Sequence, residues 1–200
     1  ILACILLLHL RLGRIFQVGS WYELDFGDES LDVVLSLGRS LPHVETPNRF
    51  AGYKGVLAEV GRVLRENGLF VFDMPNPKVG EYLERRLEYI KFLKKSGMTV
   101  PSEANFPYII DSPDGRNFYN RYVPDKGSIM VDLMMNGFVV REIVEEDIPG
   151  PGGNKNMVFV TRKMTDQEQD VVKERYYANR YWEANERLAN ELMAKETKLG

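Results

Sequence analysis

The amino-acid sequence predicts one α/β domain whose parallel sheet ends in an antiparallel hairpin. Two apolar runs, Asp32–Leu37 and Leu69–Asp73, are nearly continuous, which is typical of strands buried on both faces. An amphipathic helical pattern follows each run, so strand and helix alternate as they do in layered α/β folds. The length of 200 residues and the hydrophobic content of 44% suit one domain with a substantial core.

The first elements of the chain are predicted to be short and apolar. The run Ile1–Leu8 is about half as long as the roughly 20 residues that a membrane-spanning helix needs. No basic segment precedes it, as a signal peptide requires, so we expect a buried helix or strand. Arg14–Val18, bounded by Gly13 and Gly19, predicts the next strand because β-branched and aromatic residues occur in it.

Two helical patterns are predicted. The first lies between the two buried strands, and the second follows the later of these strands. Between Phe50 and Arg65, apolar residues recur three or four positions apart, and Asn67–Gly68 supplies a helix stop. The second pattern places four residues on one apolar face: Val79, Leu83, Leu87 and Ile90. From residue 96 to 117 the periodicity disappears while prolines and aromatics accumulate, which indicates an ordered insertion or lid.

The second half of the chain predicts a helix near Asp125–Met135 and then two strands, Phe138–Ile143 and Met157–Val160. Because the Pro/Gly loop between these strands contains no helix, they must pair antiparallel. Thr165–Glu168 has the sequence of a capping box. It begins a long polar helix with one stripe of aromatic and apolar residues, formed by Tyr177, Tyr181, Ala184, Leu188 and Leu192.

These patterns divide the chain into two parts. Residues 1–163 form the predicted domain, with the insertion at 96–117, and residues 164–200 form one long C-terminal helix. Packing of this helix on its own domain is one interpretation of its aromatic stripe, and a homodimer contact through Tyr177 and Tyr181 is the other. A basic helix segment supplies a second surface feature, through Arg85, Arg86, Lys91, Lys94 and Lys95. It favours a solvated face over contact with RNA or another anionic partner.

Charge and cysteine usage exclude several classes of function. A formal net charge of −3 gives no global field that attracts phosphate backbones, so a general nucleic-acid binder is disfavoured. With one cysteine, Cys4, and two histidines, His9 and His43, the chain cannot assemble a cysteine and histidine metal cage. We therefore predict no metal. The single cysteine also has no internal disulfide partner, so we predict a cytoplasmic location.

Three segments follow the predicted strands at the position where open α/β sheets bind ligands. Gly19–Trp21 follows the first strand, Gly38–His43 the second, and Asp73–Asn76 ends the third. Carboxyl ends of parallel strands meet at one edge of a sheet, near a topological switch point. The sequence therefore predicts a binding site formed by these three segments.

Four longer segments occur in an order and spacing that are specific to one family. They are Gly19–Leu37, Leu57–Asp73, Asn136–Phe138 with the strand that follows it, and Asn156–Lys163. In this order, residues 14–163 resemble the class I S-adenosylmethionine-dependent methyltransferases. The resemblance implies a Rossmann-like sheet with a C-terminal antiparallel hairpin, and S-adenosylmethionine as the cofactor.

Two shorter pieces refine what the resemblance implies. Leu37–His43 and the pair Ser20–Trp21 are most similar to the glycine N-methyltransferase type, which implies a small-molecule methyl acceptor. By this resemblance Ser20 and Trp21 frame the adenine. The residues implied at the sulfonium end are Leu37, Gly38, Arg39, Ser40 and His43. The family more often has an acidic or amide residue in place of Ser20 and an asparagine in place of Arg39.

One expected part of the family's fold has no counterpart in the sequence. The glycine-rich first loop and the acidic residue that holds the ribose belong to two strands that would precede Ile1. In the family's strand order, Arg14–Val18 lies two strands away from Asp32–Leu37, which leaves a gap in the sheet. We therefore expect an N-terminally truncated domain, and the alternative is that Ile1–Leu8 and its neighbours pair in a substitute arrangement.

Methyl transfer from a sulfonium needs alignment and exclusion of water more than it needs a catalytic triad. His43 is the candidate general base, since its charge changes near neutral pH, and a structural role in its loop is the alternative. Trp21 is equally suited to anchor a turn. The candidate substrate residues are Asp73, Asn76, Tyr108, Tyr119, Arg121 and Tyr122, and packing within the lid is the alternative for the last four.

The sequence thus predicts S-adenosylmethionine-dependent methyl transfer to a small-molecule nucleophile. One alternative is a non-catalytic domain that keeps the fold as an interaction module. Another is an RNA methyltransferase, whose binding would fall steeply with added salt. A nucleotide-dependent oxidoreductase is disfavoured by the C-terminal antiparallel hairpin and by the segment Gly38–His43.

Overall fold

A computed structural model describes residues 3–9, 13–39, 41, 49–100, 108–111, 119–150, 152–178 and 182–199. The elements in chain order are β1 (Ala3–His9), β2 (Gly13–Gly19), β3 (Leu31–Ser36), α1 (Arg49–Val63), β4 (Leu64–Pro75), α2 (Gly80–Lys95), β5 (Tyr108–Asp111), β6 (Tyr119–Tyr122), α3 (Lys126–Met135), β7 (Phe138–Asp147), β8 (Lys155–Lys163), α4 (Asp166–Ala178) and α5 (Trp182–Leu199).

The main sheet has four strands in the order β3-β4-β8-β7. Strands β3 and β4 run parallel, and β8 pairs antiparallel with both β4 and β7. Because β8 runs against β4, its first residues lie beside the carboxyl end of β4, with Asn156 opposite Pro75. The predicted α/β fold with a C-terminal antiparallel hairpin is confirmed.

The first two strands form a separate antiparallel pair in which Ala3 lies opposite Gly19. The apolar run at the start of the chain is therefore a strand, one of the two predicted possibilities. Strand β1 approaches β3 closely without joining its sheet. Truncation of the domain and a substitute arrangement of these strands both stay predictions.

The core lies where α1 packs against the main sheet. Tyr53, Leu57 and Val60 on the predicted face of α1 are buried. On the sheet, the ring of Phe72 stacks on Phe70 with centroids 4.8 Å apart and on Phe159 with centroids 5.0 Å apart. Aromatic stacking across neighbouring strands fixes their register, because each ring pairs with one partner position.

The helix stop after α1 differs from the prediction. The helix ends at Val63, before Asn67–Gly68, and β4 begins at once with Leu64. Asn67 has a φ of 62°, so it takes the left-handed position of the turn. Gly68 serves close approach instead, since a Cβ there would lie 2.9 Å from the carbonyl oxygen of Arg65.

The buried face of α2 is rotated from the predicted one. Leu87 is 42% exposed, whereas Ile90 is buried as expected. The buried set is Tyr82, Arg86, Tyr89, Ile90 and Leu93. The predicted face was based on aliphatic residues alone, whereas the aromatic tyrosines of this helix bury more area than its leucines. The helix packs against β5, whose contact decides which side faces inward.

The predicted lid contains structure that the sequence pattern missed. Strands β5 and β6 pair antiparallel, with Tyr108 opposite Tyr122. Each has only four residues, too few to produce an alternating pattern that distinguishes a strand from a loop. Residues 101–107 and 112–118 lie outside the described residues.

The C-terminal segment contains helices α4 and α5, and residues 179–181 between them lie outside the described residues, so the single long helix stays a prediction. The predicted capping box is present at the start of α4: the Thr165 amide donates to Glu168 Oε2 at 2.8 Å, and the Glu168 amide donates to Thr165 Oγ1 at 3.3 Å. Helix α5 packs on α3 and β7 through buried Leu188. A homodimer contact through Tyr177 and Tyr181 stays a prediction.

An ion-pair network fastens this segment to the sheet. The guanidinium of Arg162 on β8 binds Glu196 Oε1 of α5 at 2.7 Å and Glu168 Oε1 of α4 at 2.9 Å. The Arg162 and Glu196 side chains are only 12% and 10% exposed, so water screens their attraction weakly. The same arginine lowers the pKa of the Glu168 carboxyl through its hydrogen bonds.

Replacing Arg162 with leucine is expected to lower the free energy of unfolding by about 3 kcal/mol, because buried Glu196 loses its nearer cation and keeps only the longer pair with Arg141 at 3.7 Å. Urea unfolding measures the loss. The matched control is Arg175→Leu, which breaks an exposed pair between Arg175 and Glu191 and should cost less than about 1 kcal/mol. Equal losses in the two variants would contradict a stabilising role for the buried network.

Candidate functional site

The carboxyl ends of β3 and β4 meet at one edge of the sheet because the two strands are parallel. Strand β3 continues into Leu37, Gly38 and Arg39. Gly38 and Arg39 have φ angles of 83° and 58°, so the chain turns through two successive left-handed residues. This turn leaves Leu37 56% exposed at the edge.

Asp73, near the end of β4, holds this turn in place. Its Oδ1 accepts a hydrogen bond from the Arg39 amide at 2.8 Å, and its Oδ2 accepts one from Asn156 Nδ2 at 3.1 Å. The Asp73 side chain is buried. One carboxylate therefore ties together the turn after β3, the end of β4 and the start of β8.

The side chain of Arg39 reaches the first turn of α2. Its Nη1 donates to the hydroxyl of Tyr82 at 2.8 Å. The ring of Tyr82 is buried against Val123 and partly buried Ile148. Arg39 is thus held at both ends, because Asp73 binds its backbone amide and the phenol of a packed tyrosine binds its guanidinium.

Asn76 is buried and forms a turn of its own after β4. Its backbone amide donates to the Lys155 carbonyl at 2.9 Å, and its side-chain Oδ1 accepts from the Lys78 backbone amide at 3.0 Å. Lys78 in turn pairs with Asp125, the N-cap of α3, at 3.6 Å. The contacts of Asn76 indicate that it shapes the turn.

Ser20 and Trp21 form a tight turn at the end of β2. The Tyr22 amide donates to Ser20 Oγ, and the Glu23 amide donates to the Ser20 carbonyl, each at 3.2 Å. Trp21 is buried in the core, and its indole nitrogen has no hydrogen-bond partner among the described residues. A buried N–H without a partner is costly, and a water or a ligand that accepts from the indole would remove this cost.

Two residues missed by sequence reasoning fix the loop after this turn. Glu59 Oε1 accepts from the Leu24 amide at 2.8 Å, and Arg62 Nη2 donates to the Leu24 carbonyl at 2.9 Å. Arg62 also pairs with Glu59 at 2.6 Å, and its hydrogen bond lowers the pKa of the Glu59 carboxyl. Their i,i+3 spacing on α1 was a signal for the ion pair. It gave no sign of the loop that they hold.

A buried polar cluster lies where the lid returns to the domain. The Tyr122 hydroxyl at the end of β6 donates to Asp132 Oδ2 of α3 at 3.1 Å. The ring of Tyr53 lies 5.4 Å from that of Tyr122, and its buried hydroxyl has no partner among the described residues. Burial raises the pKa of the Asp132 carboxyl, although Lys54 and the Tyr122 hydrogen bond lower it. Tyr122 therefore anchors the lid to α3.

The structure brings some of the predicted site residues together. Leu37, Gly38, Arg39 and Asp73 meet at one edge of the sheet. Ser40 and His43 lie outside the described residues, and only the backbones of Tyr108, Tyr119 and Arg121 are described. Within the described ranges, no group of acidic, histidine or cysteine residues could hold a metal ion, and no helix is long and apolar enough to cross a membrane.

Comparison with known proteins gives both a family match and a structural match. Residues 8–72 match the family model described as a methyltransferase domain. The fold is similar to that of a SAM-dependent methyltransferase from Methanosarcina mazei, at 16% identity and a TM-score of 0.54, over 75% of this chain and 67% of that chain. No curated protein matches the sequence.

A second solved structure is 1,6-didemethyltoxoflavin-N1-methyltransferase from Burkholderia thailandensis, with bound 1,6-didemethyltoxoflavin and S-adenosylhomocysteine. It is 18% identical, with a TM-score of 0.44, and the match covers 72% of this chain and 48% of that chain. This chain thus spans about two thirds of the first structure and about half of the second.

The match of residues 8–72 to a methyltransferase domain and the Rossmann-like fold agree with each other. The predicted resemblance to the class I S-adenosylmethionine-dependent methyltransferases is therefore confirmed. Members of this class are enzymes that use S-adenosylmethionine as their cofactor.

Replacing Asp73 with alanine is expected to lower the free energy of unfolding by about 2 to 4 kcal/mol, because it strands two donors, the Arg39 amide and Asn156 Nδ2. Asp73→Asn is the matched control. Asn156 Oδ1 is buried without a partner, so a flip of the Asn156 amide presents an acceptor to the new NH₂ group. Chemical denaturation should therefore show a smaller loss for asparagine, and equal losses would contradict the role of Asp73 as a tie.

Asp132→Asn tests the electrostatic cost of the buried cluster. The pKa of the Asp132 carboxyl is higher in the folded state than its ordinary value of 3.8. The wild-type protein therefore loses stability as the pH rises from 3.8 through the pKa of the folded state. The asparagine variant should therefore gain stability relative to the wild-type protein between about pH 4 and about pH 8. Urea unfolding at both pH values measures the difference, and a pH-independent difference would sink this assignment.

Proposed function

We propose that this protein transfers a methyl group from S-adenosylmethionine to a small-molecule nucleophile. The observation that carries the proposal is the joined carboxyl edge of β3 and β4, where Asp73 fixes the turn at Gly38 and Arg39. Ligands of open α/β sheets bind at such an edge. Leu37 and Gly38 are exposed there, so the turn is accessible to a ligand.

The residues at this edge fit the cofactor. A Cβ built on Gly38 meets no atom within 4 Å, so open space lies against the turn. Trp21 offers a buried indole N–H without a partner among the described residues. In our proposal, Ser20 and Trp21 frame the adenine. The residues that line the sulfonium end are Leu37, Gly38, Arg39, Ser40 and His43.

S-adenosylmethionine supplies an activated methyl group when it is bound, so the task of the protein is alignment and exclusion of water. Asp73 keeps the turn after β3 rigid. Since both of its carboxylate oxygens already accept hydrogen bonds, we assign it a positioning role instead of a substrate contact. Asn76 shapes the adjoining turn in the same way.

The methyl acceptor is proposed to lie under the lid. The residues assigned to this cover are Tyr108, Tyr119, Arg121 and Tyr122, and the hydrogen bond from Tyr122 to Asp132 sets where the lid rejoins the domain. His43 is the proposed base that takes a proton from the acceptor. With one cysteine in the chain, we place the reaction in the reducing cytoplasm.

Gly38→Ala tests the cofactor site against a matched control, Gly97→Ala. Both glycines have positive φ, 83° and 77°, and neither meets an atom within 4 Å of a built Cβ. Each alanine should therefore cost a similar free energy of unfolding, about 1 kcal/mol. Only Gly38→Ala should weaken binding of S-adenosylmethionine, by roughly tenfold or more, in isothermal titration calorimetry.

The outcomes of this titration separate the competing functions. Binding by the wild-type chain with a selective loss in Gly38→Ala supports a cofactor site at the edge. Absence of binding in residues 1–200, with binding by a version extended upstream, supports the predicted truncation, whereas absence of binding in both favours a non-catalytic interaction module. If the cofactor binds but methyl transfer requires RNA and declines steeply with salt, the small-molecule acceptor is wrong.

A further inference from the structure

Arg39 occupies a backbone conformation that an arginine rarely adopts. Its φ of 58° lies in the left-handed region, which disfavours side chains with a Cβ. Strained non-glycine residues concentrate at sites where the position of the side chain matters. Asp73 stabilises this conformation through the Arg39 amide.

The guanidinium of Arg39 has donors that the protein does not use. Its Nη1 donates to the Tyr82 hydroxyl, and an arginine carries five N–H donors in a planar fork. Arg39 forms no ion pair with a carboxylate anywhere in the described part of the chain. A half-buried cation in this state retains its capacity to bind an anion.

Tyr82 adds a second donor at the same place. Its oxygen accepts from Arg39, so its own O–H proton is still available for donation. No acceptor for this proton occurs among the described residues. The ring is 5% exposed and packs on Val123, which prevents the phenol from turning away.

The other charged groups near the start of α2 are already paired. Lys78 binds Asp125, while Glu81 pairs with Arg85 and accepts from Asn154. No carboxylate among these groups competes for Arg39. The guanidinium and the phenol are therefore two adjacent donors, fixed in place, at the edge where the ligand is proposed to bind.

We propose that Arg39 and Tyr82 form a binding site for a carboxylate on the bound small molecule, which makes Arg39 a specificity-determining residue. A guanidinium fork matches the two oxygens of a carboxylate, and a phenol O–H adds a third hydrogen bond. The inference rests on the proposed function for the identity of the ligand. The carboxylate belongs either to the methionine end of the cofactor or to the methyl acceptor.

The first experiment measures carboxylate binding without the cofactor. Sodium acetate is titrated into the full chain labelled with ¹⁵N-arginine, and sodium chloride at equal ionic strength is the control. The Arg39 Nε resonance, assigned by its absence in Arg39→Gln, should shift and saturate with acetate only. The shift should weaken in Tyr82→Phe and persist in Arg65→Gln, a variant of an exposed arginine that pairs with Asp32.

The second experiment identifies the source of the carboxylate. S-adenosylmethionine and its decarboxylated analogue are titrated into the wild-type, Arg39→Gln and Arg65→Gln proteins. If the cofactor's carboxylate binds Arg39, Arg39→Gln should lose roughly tenfold or more in affinity for S-adenosylmethionine and none for the analogue. Arg65→Gln should match the wild-type protein with both ligands.

The acceptor's carboxylate has a different signature. S-adenosylmethionine affinity is then unchanged in Arg39→Gln, and methyl transfer is assayed on a panel of amino acids and their amides. The wild-type protein should prefer the acids, and Arg39→Gln should lose this preference. Arg65→Gln should retain it.

Failure of this inference differs from failure of the proposed function. A saturable acetate shift without S-adenosylmethionine binding, in this chain and in a version extended upstream, overturns the proposed function and supports the carboxylate site. The carboxylate site is overturned if acetate causes no saturable shift and Arg39→Gln changes neither cofactor affinity nor the preference for acids over amides.

Discussion

The buried carboxylate of Asp73 is the contact on which the arrangement of the candidate site depends. It accepts one hydrogen bond from the turn after β3 and one from the start of β8, while its own backbone belongs to β4. A buried carboxylate is costly unless its oxygens are paired, so the two donors and the acid hold each other in place. The turn containing Arg39 can therefore keep a strained backbone, because neighbouring elements determine its position.

The rest of the fold supplies the rigidity that this contact requires. Stacked rings of Phe70, Phe72 and Phe159 join β4 to β8, and the buried pair of Arg162 with Glu196 fastens α5 to β8. The register of β8 against β4 places Asn156 next to Asp73. Packing in the body of the sheet thus positions polar groups at its edge.

Strand β6, beside the predicted lid, is joined to α3 by a different kind of contact. Tyr122 and Asp132 form a hydrogen bond inside the core, where burial raises the pKa of the carboxyl. Low dielectric strengthens such a bond and also increases the cost of losing it. Strand β6 is therefore attached at a defined point on α3, whereas Arg39 on the turn contacts α2.

The sequence by itself predicted the four strands of the main sheet, the helices α1 to α3, the antiparallel hairpin and the resemblance to methyltransferases, because hydrophobic periodicity and chain order are local properties. It predicted β3, β4 and the capping box at Thr165, and it placed Gly38, Arg39 and Asp73 at one edge. Only the tertiary structure decided that Asp73 is a buried tie, that Tyr82 receives Arg39, and that Leu87 faces solvent. These features depend on residues distant in sequence, whose contacts are set by strand register and helix rotation, and no local pattern encodes either.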